Sequence, residues 1–128
     1  MSEMRTTAGR KDDEGKARFD LIPVYPLFEL ARLYTRGAVK YLARNWENGL
    51  AWGRVFAAMM RHAWAWWGGE EYDPEDGQHH LDSVAWCAFT LREYTRTHPE
   101  LDDRPTTLRS FREIARKLDE ADQEANHA

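Results

Sequence analysis

A single cysteine, Cys87, occurs in the 128 residues. An intrachain disulfide framework and a thiolate metal cluster are therefore excluded, and one unpaired thiol suits a reducing compartment. Also missing is any apolar run near the roughly 18 residues that cross a bilayer. The opening MSEMRTTAGRKDDEGK has no apolar stretch of the kind that heads a secretory signal. The expectation is a soluble cytoplasmic protein with no membrane partner. Positive charge is in deficit, with 18 Lys and Arg against 22 Asp and Glu and a net charge of -4. The overall attraction that long nucleic acid exerts on its binders is absent, so no long nucleic acid partner is expected. Alternating strand patterns, internal repeats and low-complexity tracts are missing as well.

What is present is 42% hydrophobic residues with six tryptophans, on a chain whose mean hydropathy is -0.78. That combination reads as one packed domain with polar flanks. Residues 1–17 have little to bury and are expected to form a flexible N-terminal arm, leaving 18–128 as a single helical domain. Leu27, Leu30, Ala31, Tyr34, Ala38 and Tyr41 recur at helical spacing and predict a first helix from about Pro26 to Ala43. Gly37 inside it suggests a close helix contact or a local bend. After an Asn48-Gly49 turn, Val55, Phe56, Met59, Ala63, Trp66 and Trp67 mark a second helix that Gly68-Gly69 ends. A third is expected from about Gln78 to Arg96, capped by Asp76 and burying Leu81, Val84, Ala85, Ala88 and Leu91. A fourth, more charged helix would turn Leu108, Phe111, Ile114, Ala115 and Leu118 inward. The fold class is all-α, a compact bundle of about four helices.

Between the second and third helices runs GGEEYDPEDGQHHLD, with five carboxylates from Glu70 to Asp76 followed by His79, His80 and Asp82. Carboxylates at that density repel one another unless solvent or a cation compensates, and hard oxygen donors suit Mg2+ or Mn2+. His79 and Asp82 are three apart and share a helix face, and His62 near the end of the second helix can meet them across the hairpin. The expected metal ligands are Glu70, Glu71, His79 and Asp82, with Glu71, Asp82 and His62 as catalytic residues. A histidine-rich phosphohydrolase site is the minority form of the same idea. The competing reading is a solvated turn whose acids cap the next helix.

The N-terminal half carries GKARFDLIP and YTRGAVKYLARNW. Lys16, Arg18, Lys40 and Arg44 there are candidates for phosphates, and Asn45 and Trp46 for the edge and face of a base. Arg32, Arg36 and Lys40 are also spaced as the solvent face of an amphipathic helix, which would serve no ligand.

These two stretches and RHAWAWWGGEEYDPEDGQHHLDSVAW together resemble the phage family described as the N-terminal domain of dATP/dGTP diphosphohydrolases, over about residues 15 to 95. The resemblance further implies a distant, MazG-like kinship with all-α nucleotide pyrophosphohydrolases, which present E-x-x-E and E-x-x-D motifs to magnesium. Here the second motif reads His79-x-x-Asp82, and the second helix has no E-x-x-E. The implied activity is metal-dependent hydrolysis of purine deoxynucleoside triphosphates to monophosphate and pyrophosphate, in phage nucleotide-pool metabolism in the host cytoplasm. The alternatives are a noncatalytic nucleotide-binding module, such as a phage sponge for a host signalling nucleotide, and a helical adaptor. Surplus aromatic surface further suggests a homo-oligomer.

Overall fold

The computed structural model describes residues 9–106 and 110–127. Four helices carry the fold: α1 (Val24–Tyr41), α2 (Trp52–Trp67), α3 (His80–Thr97) and α4 (Phe111–His127). Among the described residues the only extended pairing is one antiparallel bridge between Tyr72 and His79. The chain is all-α, as expected. Residues 9–18 are exposed and form no helix or strand, and the first eight residues of the expected arm lie outside the described residues.

Each helix begins and ends for a local reason. Pro23 holds extended backbone at the N-cap of α1, and Pro26 falls in the first turn, where no amide donor is needed. The helix ends two residues earlier than expected because Leu42 adopts φ 83, its N–H still bonded to the Ala38 carbonyl at 2.9 Å. A tight turn over Asn45–Asn48 follows, then Gly49 at φ 97. The positive φ favours glycine at Gly49, and a Cβ there would stand 2.5 Å from Leu101 Cδ1, so that side chain would have to shift. Gly68 closes α2 by donating to the Trp64 carbonyl at 3.0 Å. The cap of α3 is His79 rather than Asp76: His79 Nδ1 accepts from the Leu81 N–H at 3.0 Å. Asp76 instead takes the Gln78 N–H at 3.0 Å, bending the loop two residues too early to start the helix.

Packing centres on the antiparallel α2–α3 hairpin. Trp52, Val55, Cys87 and Tyr94 form its buried core, with Trp46, Leu50, Met59, Trp86, Leu91 and Leu101 against it. The Tyr94 hydroxyl donates to the Trp46 carbonyl at 2.5 Å, tying the α1–α2 connection to α3. Trp52 Nε1–H donates to the His98 carbonyl at 3.1 Å, and Asp103 accepts the Gly53 N–H at 2.7 Å at the start of α2. The first helix lies on α3, where the Tyr34 and Thr90 hydroxyls meet at 2.6 Å and the Tyr34 ring rests on Trp86. Both α1 and α2 pack on α3 more than on each other.

Two expectations about buried faces are corrected. On α3 the buried residues are His80, Cys87, Thr90 and Tyr94, while Leu81, Ala85 and Ala88 are exposed. The inward face is turned by about one residue because α3 must serve α1 and α2 together. Phe56 and Trp67, two of the residues that mark α2, are 54% and 74% exposed. On α4, Phe111 and Leu118 face solvent at 85% and 62%, and Leu108 lies outside the described residues. Gly37 makes no close helix contact, since a Cβ there would meet nothing within 4 Å.

Two tests follow from this core. Tyr94→Phe removes the hydroxyl that bridges α3 to Trp46 and is expected to destabilise by about 1–2 kcal/mol in urea unfolding. His98 donates to the Glu47 carbonyl at 2.6 Å and pairs with Glu100 at 2.7 Å. The Glu100 carboxylate and the Glu47 carbonyl hold its pKa above the ordinary histidine value. The native state therefore binds the proton more tightly than the unfolded chain. This stabilisation is complete below about pH 6.5 and disappears as pH rises through the raised value. The Tm difference between wild type and His98→Gln should shrink from about pH 5.5 to about pH 8.5.

Candidate functional site

The loop between α2 and α3 is folded back on itself. The Asp73 N–H donates to the Gln78 carbonyl at 2.8 Å, the Gly77 N–H to the Asp73 carbonyl at 2.7 Å, and the His80 N–H to the Glu71 carbonyl at 3.0 Å. Asp73 also accepts the Glu75 N–H on Oδ1 at 2.9 Å. This knot turns the Asp73 carboxylate toward the hairpin end, where His62 of α2 and His80 of α3 meet.

The Nδ1 atoms of His62 and His80 are 2.9 Å apart, and one ligand atom each from His62, Asp73 and His80 lies within 4.8 Å of the others. His80 is 3% exposed, and its Nε2 meets Glu70 Oε1 at 2.7 Å. A carboxylate on Nε2 fixes the ring so that Nδ1 faces His62 and Asp73, the arrangement that orients metal-ligating histidines. Burial, then the neighbouring His80, lowers the His62 pKa against the opposing pull of Asp73 and Asp76. A neutral imidazole is the ligand form. At 2.9 Å the two Nδ1 atoms share a hydrogen bond, a separation close to the about 3 Å of two nitrogens on adjacent positions of an octahedral ion. Two imidazoles and a carboxylate suit a borderline divalent ion such as manganese, iron, cobalt or zinc better than magnesium.

Of the residues singled out from sequence, the structure brings His62 and Glu70 into this cluster. Glu71 and His79 form an adjacent exposed pair, with Nε2 2.8 Å from Oε2. Asp82 stands in the first turn of α3 near Tyr25. The Tyr25 phenol is raised first by its hydrogen bond to Glu29 and only lastly by Asp82. Asp73 and His80 are the members that sequence reasoning left out. His80 shares one helical face with Cys87 and Tyr94, and that spacing was the available signal.

A second feature is a cavity of about 520 Å³ where α1, the 45–48 turn and the start of α2 converge. Tyr34, Trp46 and Trp86 supply flat walls, Asn45 and Asn48 amide groups, and Arg44 and Arg54 positive charge. Arg44, Asn45 and Trp46 thus share one cavity, whereas Lys16, Arg18 and Lys40 do not line it. Arg18 is paired with Asp20 at 2.8 Å, Lys16 is exposed, and the Lys40 ammonium sits 5.0 Å from the Tyr41 ring centroid. Leu42 and Arg44 hold φ 83 and 60 on either side of Ala43. Positive φ in such side-chain-bearing residues is strain of the sort that gathers at ligand sites. Arg54 lines the cavity, and His62 follows eight residues later on α2, about 12 Å along the axis.

Cys87 is buried, and burial pushes its thiol up to about 11, so it is an unreactive packing residue. No described helix is long and apolar enough to cross a membrane.

Comparison with known proteins gives two matches. The profile of the family described as dATP/dGTP diphosphohydrolase, N-terminal, matches residues 6–104. A protein of Salmonella phage PMBT28 named dATP/dGTP diphosphohydrolase is 33% identical over 96 residues, which are 75% of this chain and 33% of that protein. The chain spans about a third of that relative's length. No solved structure matches.

Proposed function

From its membership of the dATP/dGTP diphosphohydrolase N-terminal family, to which this chain belongs, we propose that it is a metal-dependent hydrolase of purine deoxynucleoside triphosphates, acting in phage nucleotide-pool metabolism. The observation that carries the reading is the convergence of His62, Asp73 and His80 at the hairpin end, with Glu70 orienting His80. The three side chains would hold one divalent ion, with manganese favoured over magnesium by the two imidazoles. When bound, such an ion supplies a Lewis acid toward phosphate oxygens.

The chain's own groups do the rest. Trp46 and Trp86 offer faces on which a purine stacks, and Asn45 offers a donor and an acceptor to its edge. Arg54 lies in the same cavity, and Arg61, close enough to His62 to disfavour its protonation, lies one heptad further along the same side of α2. These two guanidiniums flank the path from cavity to cluster and neutralise the polyphosphate. Glu71, steadied by His79, accepts the proton of the attacking water. Water oxygen bonds to the α-phosphorus, the bond to the bridging oxygen breaks, and pyrophosphate leaves with that oxygen.

Pyrophosphate release from dATP, dGTP, dCTP and dTTP with Mn2+ or Mg2+ tests this. Turnover of the purine nucleotides is expected, falling about 100-fold or more in His80→Ala and Asp73→Asn while nucleotide binding persists. In Glu70→Gln, Mn2+ affinity by calorimetry is expected to fall about 10–100-fold. Tight purine nucleotide binding without turnover under any divalent ion would replace the enzyme with a noncatalytic nucleotide-binding module.

A further inference from the structure

The wall of the Trp46 cavity is tied from behind to the end of α3. Within the Asn45–Asn48 turn, Asn45, Trp46 and Asn48 line the cavity and Glu47 does not. It is the Glu47 carbonyl that His98, the C-terminal cap of α3, takes hold of. The His98 side chain is 20% exposed; its Nε2 donates to that carbonyl at 2.6 Å and its Nδ1 to Glu100 Oε2 at 2.7 Å. A peptide carbonyl and a carboxylate only accept, so this geometry needs a proton on each ring nitrogen. A neutral imidazole has one N–H and can make one of the two bonds. Glu100 keeps it, because a carboxylate is the stronger acceptor, and the bare Nε2 then faces the Glu47 oxygen.

One lost bond matters at this turn. Leu42 and Arg44, just before it, hold φ 83 and 60, and backbone of that kind persists only where its surroundings enforce it. Tyr94 enforces it through the Trp46 carbonyl at 2.5 Å, and His98 through the next carbonyl along. Gly49, which follows the turn, lies so close to His98 that a Cβ there would stand 3.2 Å from the ring.

We propose that His98 is a positioning residue for this cavity: as an imidazolium it clamps the Asn45–Asn48 turn to α3, and losing one proton loosens the wall and weakens purine nucleotide binding. The consequence for binding rests on the cavity being the purine site proposed above; the clamp itself does not. Glu100 is the charge that acts on His98. Other acids around it are engaged elsewhere: Glu47 with Arg44 at 3.8 Å, Glu93 with Arg96, Asp102 with Arg104 at 2.7 Å, and Asp103 with the Gly53 N–H. Tyr94 presents its ring to His98 at 5.5 Å, and from α2 the Trp52 indole N–H, which does not titrate, meets the His98 carbonyl. Because the His98 pKa stands above the ordinary histidine value, the clamp is closed below about pH 6.5 and opens as pH rises through the raised value. The Tyr94 tie persists, so the loss of affinity is severalfold rather than complete.

Two measurements on the full chain test the proposal. The first uses no nucleotide. The Glu47 and Gly49 amides bond to the Arg44 and Trp46 carbonyls at 2.9 and 3.0 Å. Their protection, read by NMR as exchange against the intrinsic rate, is expected to fall about threefold or more from about pH 6 to about pH 9 in wild type and to stay level in His98→Gln. The second is dATP affinity by calorimetry with no divalent ion added. Over the same range wild type is expected to lose about threefold or more relative to His98→Gln, whose amide donates to Glu47 at every pH. Titration of the nucleotide cancels in that ratio, and His98→Ala is expected to bind weakly at both ends. Level protection in wild type overturns the clamp. Protection that falls while dATP affinity follows that of His98→Gln overturns the positioning role. Absence of dATP binding to all three proteins overturns the purine reading and its consequence here, while the nucleotide-free measurement separately decides the clamp.

Discussion

Everything in this fold depends on the antiparallel closure of α2 on α3. Trp52, Val55, Cys87 and Tyr94 are buried between these two helices, and no comparable core exists elsewhere among the described residues. Closure also decides where the histidine cluster and the cavity stand. It sets His62 against His80 at the loop end and draws Trp46 to Tyr94 at the other, so cluster and cavity are opposite ends of one hairpin. Side chains from distant parts of the sequence meet because two apolar seams demand it.

The cluster shows how burial and charge cooperate. The Nδ1 atoms of His62 and His80 share a hydrogen bond, and burial of His62, then the neighbouring His80 ring, lowers the His62 pKa. Glu70 and Asp73 bring negative charge from the loop, one on Nε2 of His80 and the other on the inward side. The loop that folds back through Gly77, at φ 76, is therefore a scaffold for the carboxylates rather than a solvated connection alone.

The all-α class, the four helices and the family were legible in the sequence, because helical periodicity, Pro26, Gly68 and long quoted stretches are local signals. Which side of each helix is buried was less so. The α3 pattern contains apolar residues on two flanks, and only the meeting of Tyr34 with Thr90 shows which flank α1 occupies. His79 and His80 posed the same difficulty: His79 caps α3 in extended backbone while His80 is its first helical residue, and their roles split at that boundary. Asp73 followed by Pro74 spells a turn, and its second role arises from the fold of the loop. Arg44, Asn45 and Trp46 line one cavity because they are consecutive in the turn that follows α1.

The positive φ angles at Leu42 and Arg44 carry one more consequence. A connection held in such geometry by Gly49 against Leu101, and by Trp46 against Tyr94, has few other shapes open to it. The walls of the cavity are thus set before anything enters, and little backbone ordering remains to oppose association. A ligand of the proposed kind would meet there a fixed outline, with its amides already oriented.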